Sequence, residues 1–306
     1  MGLTLKEKIK LLVRKVEVDP PIVPDKVTIK NWGNSSVSYN NSIPSIVWIY
    51  WHTEVVDSPI TRFCIEEIKR LNPGFTVRVL HERNLKEWLP DFPQIKKELP
   101  LANISDLIRF MLLEHYGGFY LDASVLLTES LDWLVSLQQK DKSEAVAYYT
   151  EVNTTKEQYP TIETWCLGAV PHSPFIQAWL SEYRNCILSD DPDHYYDGNM
   201  ELTQEESVLG SKYYKSYFAC QLVVRRSSAY RLSLVRADDD AFLYSLGIAK
   251  KWSDVSLAEL LLVCKKSERT PKMIKIINTA RKRLDDWIIR AYYKKDSLVG
   301  RIANKK

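Results

Sequence analysis

Between residues 43 and 188 the chain alternates apolar runs of strand type with segments of helical spacing, an order that calls for an open, mainly parallel sheet flanked by helices. IPSIVWIYWH (43–52) is β-branched and aromatic, the mark of a buried first strand. ITRFCIEEIKRLNP (60–73) has helical spacing and stops at Asn72-Pro73, and FTVRVLH (75–81) alternates as a second strand. NISDLIRFMLLEHYGG (103–118) predicts a helix capped by Asn103. FYLDASVLL (119–127), AVAYYT (145–150) and ETWCLGAV (163–170) predict strands. SPFIQAWLSEYRNCIL (173–188) predicts a helix opened by a Ser-Pro cap. Prolines break up NLKEWLPDFPQIKKELP, and residues 190–260 carry no clear pattern.

Charge is spread unevenly. Residues 265–306 hold 14 basic and 4 acidic side chains, and residues 1–30 a net +3, so with +3 overall the body carries about −10. An acidic body repels polyphosphate, and no nucleic-acid partner is expected. The five cysteines (Cys64, Cys166, Cys186, Cys220, Cys264) are odd in number, widely spaced and without a CxxC pair, which favours buried free thiols in a reducing cytoplasm. No run reaches the roughly 18 apolar residues of a spanning helix. The N-terminus reads as a basic amphipathic helix with Leu5, Ile9, Leu12 and Val16 on one face. A Pro-, Asn- and Ser-rich arm (19–44) follows it.

The chemistry concentrates around HYGGFYLDASVLL (115–127). Aspartate is disfavoured inside strands, and an unpaired buried carboxylate is costly, so Asp122 needs a neutralising partner. Tyr120, Asp122 and Ser124 alternate with apolar neighbours and share a face. One helix earlier, Asp106 and Arg109 stand at i, i+3. They either pair as a simple helix cap or point together into a cleft at the carboxyl ends of the strands, where open α/β sheets bind ligands.

ANISDLIRFMLLEHYGGFYLDASV resembles the signature of GT-A glycosyltransferases in the glycosyltransferase family 32 group, which includes capsular polysaccharide synthesis proteins. IPSIVWIYWH is similar to their first strand and TWCLGAVPHSPFIQAWL to their acceptor-side strand and helix; the likeness covers roughly residues 43–185. It implies a GT-A (Rossmann-like) open mixed sheet with a helical C-terminal extension. The division expected is an N-terminal helix and arm (1–42), a catalytic domain (43–262) and a basic helical segment packed on it (263–306).

The resemblance implies a retaining transfer of a sugar from a nucleotide-sugar, a UDP-sugar in preference to a GDP-sugar, to a glycan or lipid-linked oligosaccharide acceptor in surface-polysaccharide synthesis. In such enzymes the strand aspartate belongs to a DxD motif that faces a divalent cation, Mn or Mg, and the donor diphosphate. Carried over, Asp106, Arg109, Tyr120, Asp122 and Ser124 bind the donor, Tyr50 and Trp51 line the base pocket or pack in the core, and Trp165 lies on the acceptor side. The second aspartate of the motif is Ser124 here, which puts two-carboxylate chelation in doubt. A third metal ligand would come from Asp238, Asp239 or Asp240, with Asp239 the central candidate, unless the three form a solvated acidic turn. Glu163 is the one acid placed for a covalent route; front-face attack, in which the departing phosphate takes the acceptor proton, needs none. His172 reads as a loop histidine rather than a base.

Other classes fit less well. WIYWHTEVVDSP lacks the glycine turn of a dinucleotide fold. A sugar-nucleotide-binding protein without transferase activity draws support from Ser124 alone. In the tail, Met273, Ile276, Ile277, Ala280, Leu284, Trp287, Ile288 and Ala291 fall on one helical face, with Tyr292 and Tyr293 beyond it. That helix either packs on the domain or lies in an anionic membrane interface, placing the protein at the inner face of the membrane.

Overall fold

The structure is a computed structural model that describes residues 20–95, 98–202, 214–246 and 254–300, with Leu5 and Ile9. Its centre is a seven-stranded sheet. The strands are β1 (Ile29–Gly33), β2 (Ile46–Tyr50), β3 (Thr76–Leu80), β4 (Gly118–Leu121), β6 (Ala145–Thr150), β7 (Thr161–Ala169) and β8 (Arg231–Arg236), in the order β1-β8-β6-β7-β4-β2-β3. Two short strands, β5 (Val125–Leu127) and β9 (Met273–Lys275), form a separate antiparallel pair. β2 runs parallel to β3 and β4, and β6 to β8; β7 is reversed between β4 and β6, and β1 is antiparallel to β8. The open mixed α/β sheet that the resemblance implies is therefore present, but the mainly parallel sheet read from the alternation is not: half of the pairings are antiparallel, because β7 runs against both its neighbours and β1 against β8.

The longer helices are α1 (Pro59–Leu71), α2 (Leu101–Tyr116), α3 (Asp132–Asp141), α4 (Pro174–Ile187), α5 (Lys215–Arg226), α6 (Asp254–Leu262) and α7 (Asn278–Ile289). Three apolar clusters hold the layers. Leu107, Phe110, Trp179, Tyr183 and Phe218 join α2, α4 and α5 to one face of the sheet. Ile65, Ile68 and Leu134 of α1 and α3 pack under the other face with Phe119 and Leu121. A third cluster joins α1, α6 and α7 through Phe63, Leu261, Leu284 and Trp287. All five cysteines are buried and unpaired, as expected. No helix of the described residues is long and apolar enough to cross a membrane.

The double glycine is a steric requirement. Gly117 and Gly118 carry the chain from α2 into β4 with φ of +63° and +89°. A Cβ on Gly117 would sit 2.7 Å from the Pro171 ring and 2.8 Å from the Ala169 carbonyl, and one on Gly118 would sit 2.7 Å from the Ile46 carbonyl. Only glycine lets the helix turn this sharply into a strand wedged between β2 and β7. The freed Gly117 carbonyl accepts the Trp48 indole N–H at 2.9 Å.

Several sequence expectations need correction. Helix α2 starts at Leu101 behind Pro100, so Asn103 is not its cap; Asn103 is buried and its carbonyl accepts the Tyr183 hydroxyl at 3.0 Å. The run 119–127 is two strands with a turn at residues 122–124. The arm before residue 43 supplies the edge strand β1. In the tail, Met273 and Lys275 belong to strand β9, and Met273, Ile274 and Ile276 are fully buried, so the long amphipathic helix does not form there. Ala280, Leu284 and Trp287 do share a face of α7, but that face is buried against the protein, with Trp287 only 2% exposed, which removes it from any headgroup layer. Of the N-terminal helix, Leu5 and Ile9 are helical and exposed, while Leu12 and Val16 lie outside the described residues.

Candidate active site

The carboxyl ends of β2 and β4 lie side by side, because Val47 registers with Phe119 and Trp48 with Tyr120. Beyond Leu121 the chain leaves the sheet, and the Asp122 amide donates to the Trp165 carbonyl of β7 at 2.9 Å. Asp122 thus sits at the strand end with its side chain 28% exposed. Both of its carboxylate oxygens are engaged by cations. Arg109 Nη2 donates to Oδ1 at 3.0 Å, and Lys275 Nζ donates to Oδ2 at 2.5 Å. Lys275 Nζ also reaches Ser124 Oγ at 3.3 Å. Burial works against ionisation of Asp122, but Lys275 and then Arg109 hold its carboxyl below the usual carboxylate value.

Arg109 is itself almost wholly buried. Nη1 lies 3.0 Å from Asp106 Oδ1, and the guanidinium stacks 4.6 Å from the centre of the Tyr120 ring. The Tyr120 hydroxyl shares a 2.7 Å hydrogen bond with Ser105 Oγ. Burial pushes the Asp106 carboxyl up, and the Arg109 charge opposes that shift. Of the first reading the ion pair forms, but well inside α2 and not as its cap; both side chains are buried, and Arg109 links the pair to the strand-end aspartate.

Glu163 lies on the neighbouring strand. β6 and β7 lose register between Ala147 and Tyr149, where the single residue Tyr148 faces the four from Glu163 to Cys166. Such a bulge re-aims side chains. Glu163 and Trp165 are within it. Glu163 Oε2 accepts the Trp165 indole N–H at 2.8 Å and the Tyr217 hydroxyl, from α5, at 2.7 Å. Burial pushes its carboxyl up to about 7, although both hydrogen bonds and the Lys275 charge favour the ionised form. Trp165 is buried against Tyr148 and Phe242, with its indole N–H turned to Glu163.

The remaining expected residues are placed as follows. Tyr50 is buried at the end of β2, in the core cluster beneath α2. Trp51 is partly exposed, with the Arg281 guanidinium of α7 lying 5.1 Å from its ring centre. His172 pairs with Glu114 at 3.1 Å beside the start of β4, the end of the strand opposite Asp122, which agrees with a loop role.

The residues present do not fit the divalent cation that the resemblance implies. Hard cations want several free oxygen ligands. Asp122 offers none that is not already held by a cation, and Ser124 Oγ is within reach of Lys275. Asp239 lies after β8, three strand positions from β4, where it accepts from Thr28 Oγ1 at 2.5 Å and faces Arg236 at 3.7 Å. Its neighbours are also engaged. Asp238 accepts the Glu151 amide at 3.0 Å, and Asp240 accepts the Tyr148 hydroxyl at 2.6 Å and the Lys272 amide at 2.5 Å. Among the described residues no three His, Cys, Asp or Glu side chains gather as a metal site.

Two members of the cluster went unnoticed in the sequence. Lys275 sits in the apolar run MIKII, and a lone lysine there was the available signal; Tyr217 lies in a stretch with no readable pattern.

Comparison with known proteins agrees with the resemblance. The chain is 36% identical over 107 residues to the Glycosyltransferase afumC of Aspergillus fumigatus, covering 29% of this chain and 26% of that protein. It is 24% identical over 159 residues to the O-glycosyltransferase braB of Annulohypoxylon truncatum, covering 45% and 36%. The chain thus spans about a quarter to a third of the length of these relatives. Among solved structures, a glycosyltransferase involved in the glycosylation of the major capsid of PBCV-1 superposes with a TM-score of 0.45 at 12% identity, over 81% of this chain and all of that one. Residues 25–207, more than half of the chain, match the family described as Capsular polysaccharide synthesis protein, and the chain belongs to that family.

Proposed function

We propose that the chain is a glycosyltransferase that moves a sugar from a nucleotide-sugar donor to a glycan acceptor in the synthesis of a surface polysaccharide. The observation that carries this reading is the cluster at the strand ends: Asp122 clamped between Arg109 and Lys275, next to Glu163 with its carboxyl near 7. Paired opposite charges at the carboxyl edge of an α/β sheet are suited to a polar, charged ligand with several hydroxyls. Family membership supports the same chemistry.

In this reading the donor diphosphate approaches the Lys275 side of Asp122, and the sugar hydroxyls meet the Asp122 carboxylate and Ser124. Trp51, partly exposed at the end of β2, offers a flat face for the base, with a UDP-sugar the preferred donor and retention the preferred stereochemistry. Front-face attack is favoured over a covalent route, because Glu163 is buried and already accepts two hydrogen bonds on one oxygen. Its place is to balance charge below the reacting sugar. The acceptor is a growing or lipid-linked glycan, met at the inner face of the membrane through the basic surface and not through the buried face of α7.

The test is release of nucleoside diphosphate from a panel of UDP- and GDP-sugars, with and without oligosaccharide acceptors. Acceptor-stimulated release from one donor is expected. Tight donor binding with no release under any acceptor would instead favour a sugar-nucleotide-binding protein.

A further inference from the structure

We propose that the Lys275 ammonium does the work of a metal ion in this site, so that the donor diphosphate is held by side chains alone and binds without a divalent cation. The inference rests on the donor-binding reading above.

Three observations carry it. First, position: Lys275 Nζ lies 2.5 Å from Asp122 Oδ2 and 3.3 Å from Ser124 Oγ, so it contacts the same two groups that the sequence offered as metal ligands. A cation bound to either oxygen would meet the ammonium at close range, and like charges there repel strongly. Second, construction: Lys275 is 9% exposed, fixed in β9 by pairing with Val125, while its neighbours Met273, Ile274 and Ile276 are fully buried. A lysine placed in such a run is held by its backbone on both sides. Third, capacity: an ammonium has three N–H donors, and Asp122 and Ser124 take two. Among the described residues nothing takes the third, which can go to a phosphate oxygen. Arg109 completes the arrangement by neutralising the other Asp122 oxygen, so the carboxylate stays ionised and anchors the lysine without a metal.

The substitution of serine for the second aspartate of the motif then has a physical reason. A second carboxylate at position 124 would neutralise Lys275 and cancel its attraction for the diphosphate, whereas a hydroxyl orients the ammonium and leaves its charge.

Calorimetric titration of UDP and of GDP into the full chain tests the proposal, first in excess EDTA and then in excess Mn. Saturable binding of one nucleotide in EDTA, with affinity changed less than threefold by Mn, is expected. Lys275→Met should weaken that binding at least tenfold in EDTA, and Lys275→Arg should recover most of it. The wild-type comparison needs no variant, and thermal melting checks that the variants fold. Binding that appears only with Mn would overturn the proposal while leaving the donor reading intact, as would a folded Lys275→Met that binds as tightly as wild type. Failure of both nucleotides to bind under either condition would overturn the donor reading and this proposal together.

Discussion

Lys275 and Asp122 stand 153 residues apart in the chain, yet their charged atoms are 2.5 Å apart at the edge of the sheet. The contact is made by the β5–β9 pair, which lays residues 273–275 against the strand that follows Asp122. The tail is therefore part of the Asp122 cluster. Lys275 and Tyr217 both lie beyond residues 25–207, the segment that matches the family.

Arg109 is expected to matter for stability as much as for binding. It is 4% exposed and neutralises two carboxylates, Asp106 and Asp122. Arg109→Ala should destabilise the fold by about 3–5 kcal/mol, because a buried pair broken on one side leaves an uncompensated charge. Denaturant titration checks this, and the double variant Arg109→Ala with Asp106→Asn should regain part of the loss. A change below about 1 kcal/mol in the single variant would show that the pair is not stabilising.

Gly117→Ala tests the turn. Its φ of +63° and ψ of −154° lie in a region that essentially only glycine occupies, and the added methyl meets backbone and Pro171 at 2.7 Å. A loss of at least about 2 kcal/mol is expected by urea denaturation, with the site disturbed through β4. Wild-type stability in that variant would mean the turn relaxes freely.

Glu163 should leave a signature in the pH dependence of stability. Its carboxyl is raised from 4.5 to about 7 by burial, so the folded state binds its proton more tightly than the unfolded chain does. The stability it contributes is complete below about pH 4.5 and is lost as pH rises through 7, a change on the order of 3 kcal/mol. Glu163→Gln removes that dependence. The melting temperature of the variant relative to wild type should therefore rise between pH 5 and pH 8; a flat difference would contradict the buried, raised carboxyl.

The same variant separates the two routes of transfer. Loss of a covalent nucleophile costs far more than loss of a charge-balancing group. Glu163→Gln is expected to retain more than about 1% of wild-type transfer, equivalent to less than about 2.7 kcal/mol of barrier. Complete loss in a folded variant, with donor binding intact, would point to the covalent route.

What was legible in the sequence follows the range of the interactions. Asp106, Arg109, Tyr120 and Asp122 sit within 17 residues, and helix and strand periodicity place them at one sheet edge before any coordinate is known. The open α/β sheet is legible for the same reason, since its central strands are apolar runs, but apolar runs do not show strand direction, and the reversed β7 is not legible in them. Strand β1, IKNWG, was hidden in a polar arm because an edge strand needs only one paired side. Strand β9 was misread because Met273, Ile276, Ile277 and Ala280 happen to have helical spacing, and a three-residue strand is too short to show alternation. Without β9, Lys275 reads as one more solvated base, and its ion pair with Asp122 is not legible.

The most direct test of the account is transfer activity in Asp122→Asn, which keeps the shape of the side chain and removes its charge. Nucleoside diphosphate release is measured with the preferred donor and acceptor, on protein shown by circular dichroism and thermal melting to be folded. The account predicts a fall of at least 100-fold, about 2.7 kcal/mol of barrier, because the carboxylate both meets the sugar and anchors Lys275. Activity within a few fold of wild type would contradict it, and would leave Asp122 as a structural partner of Arg109 with the site elsewhere.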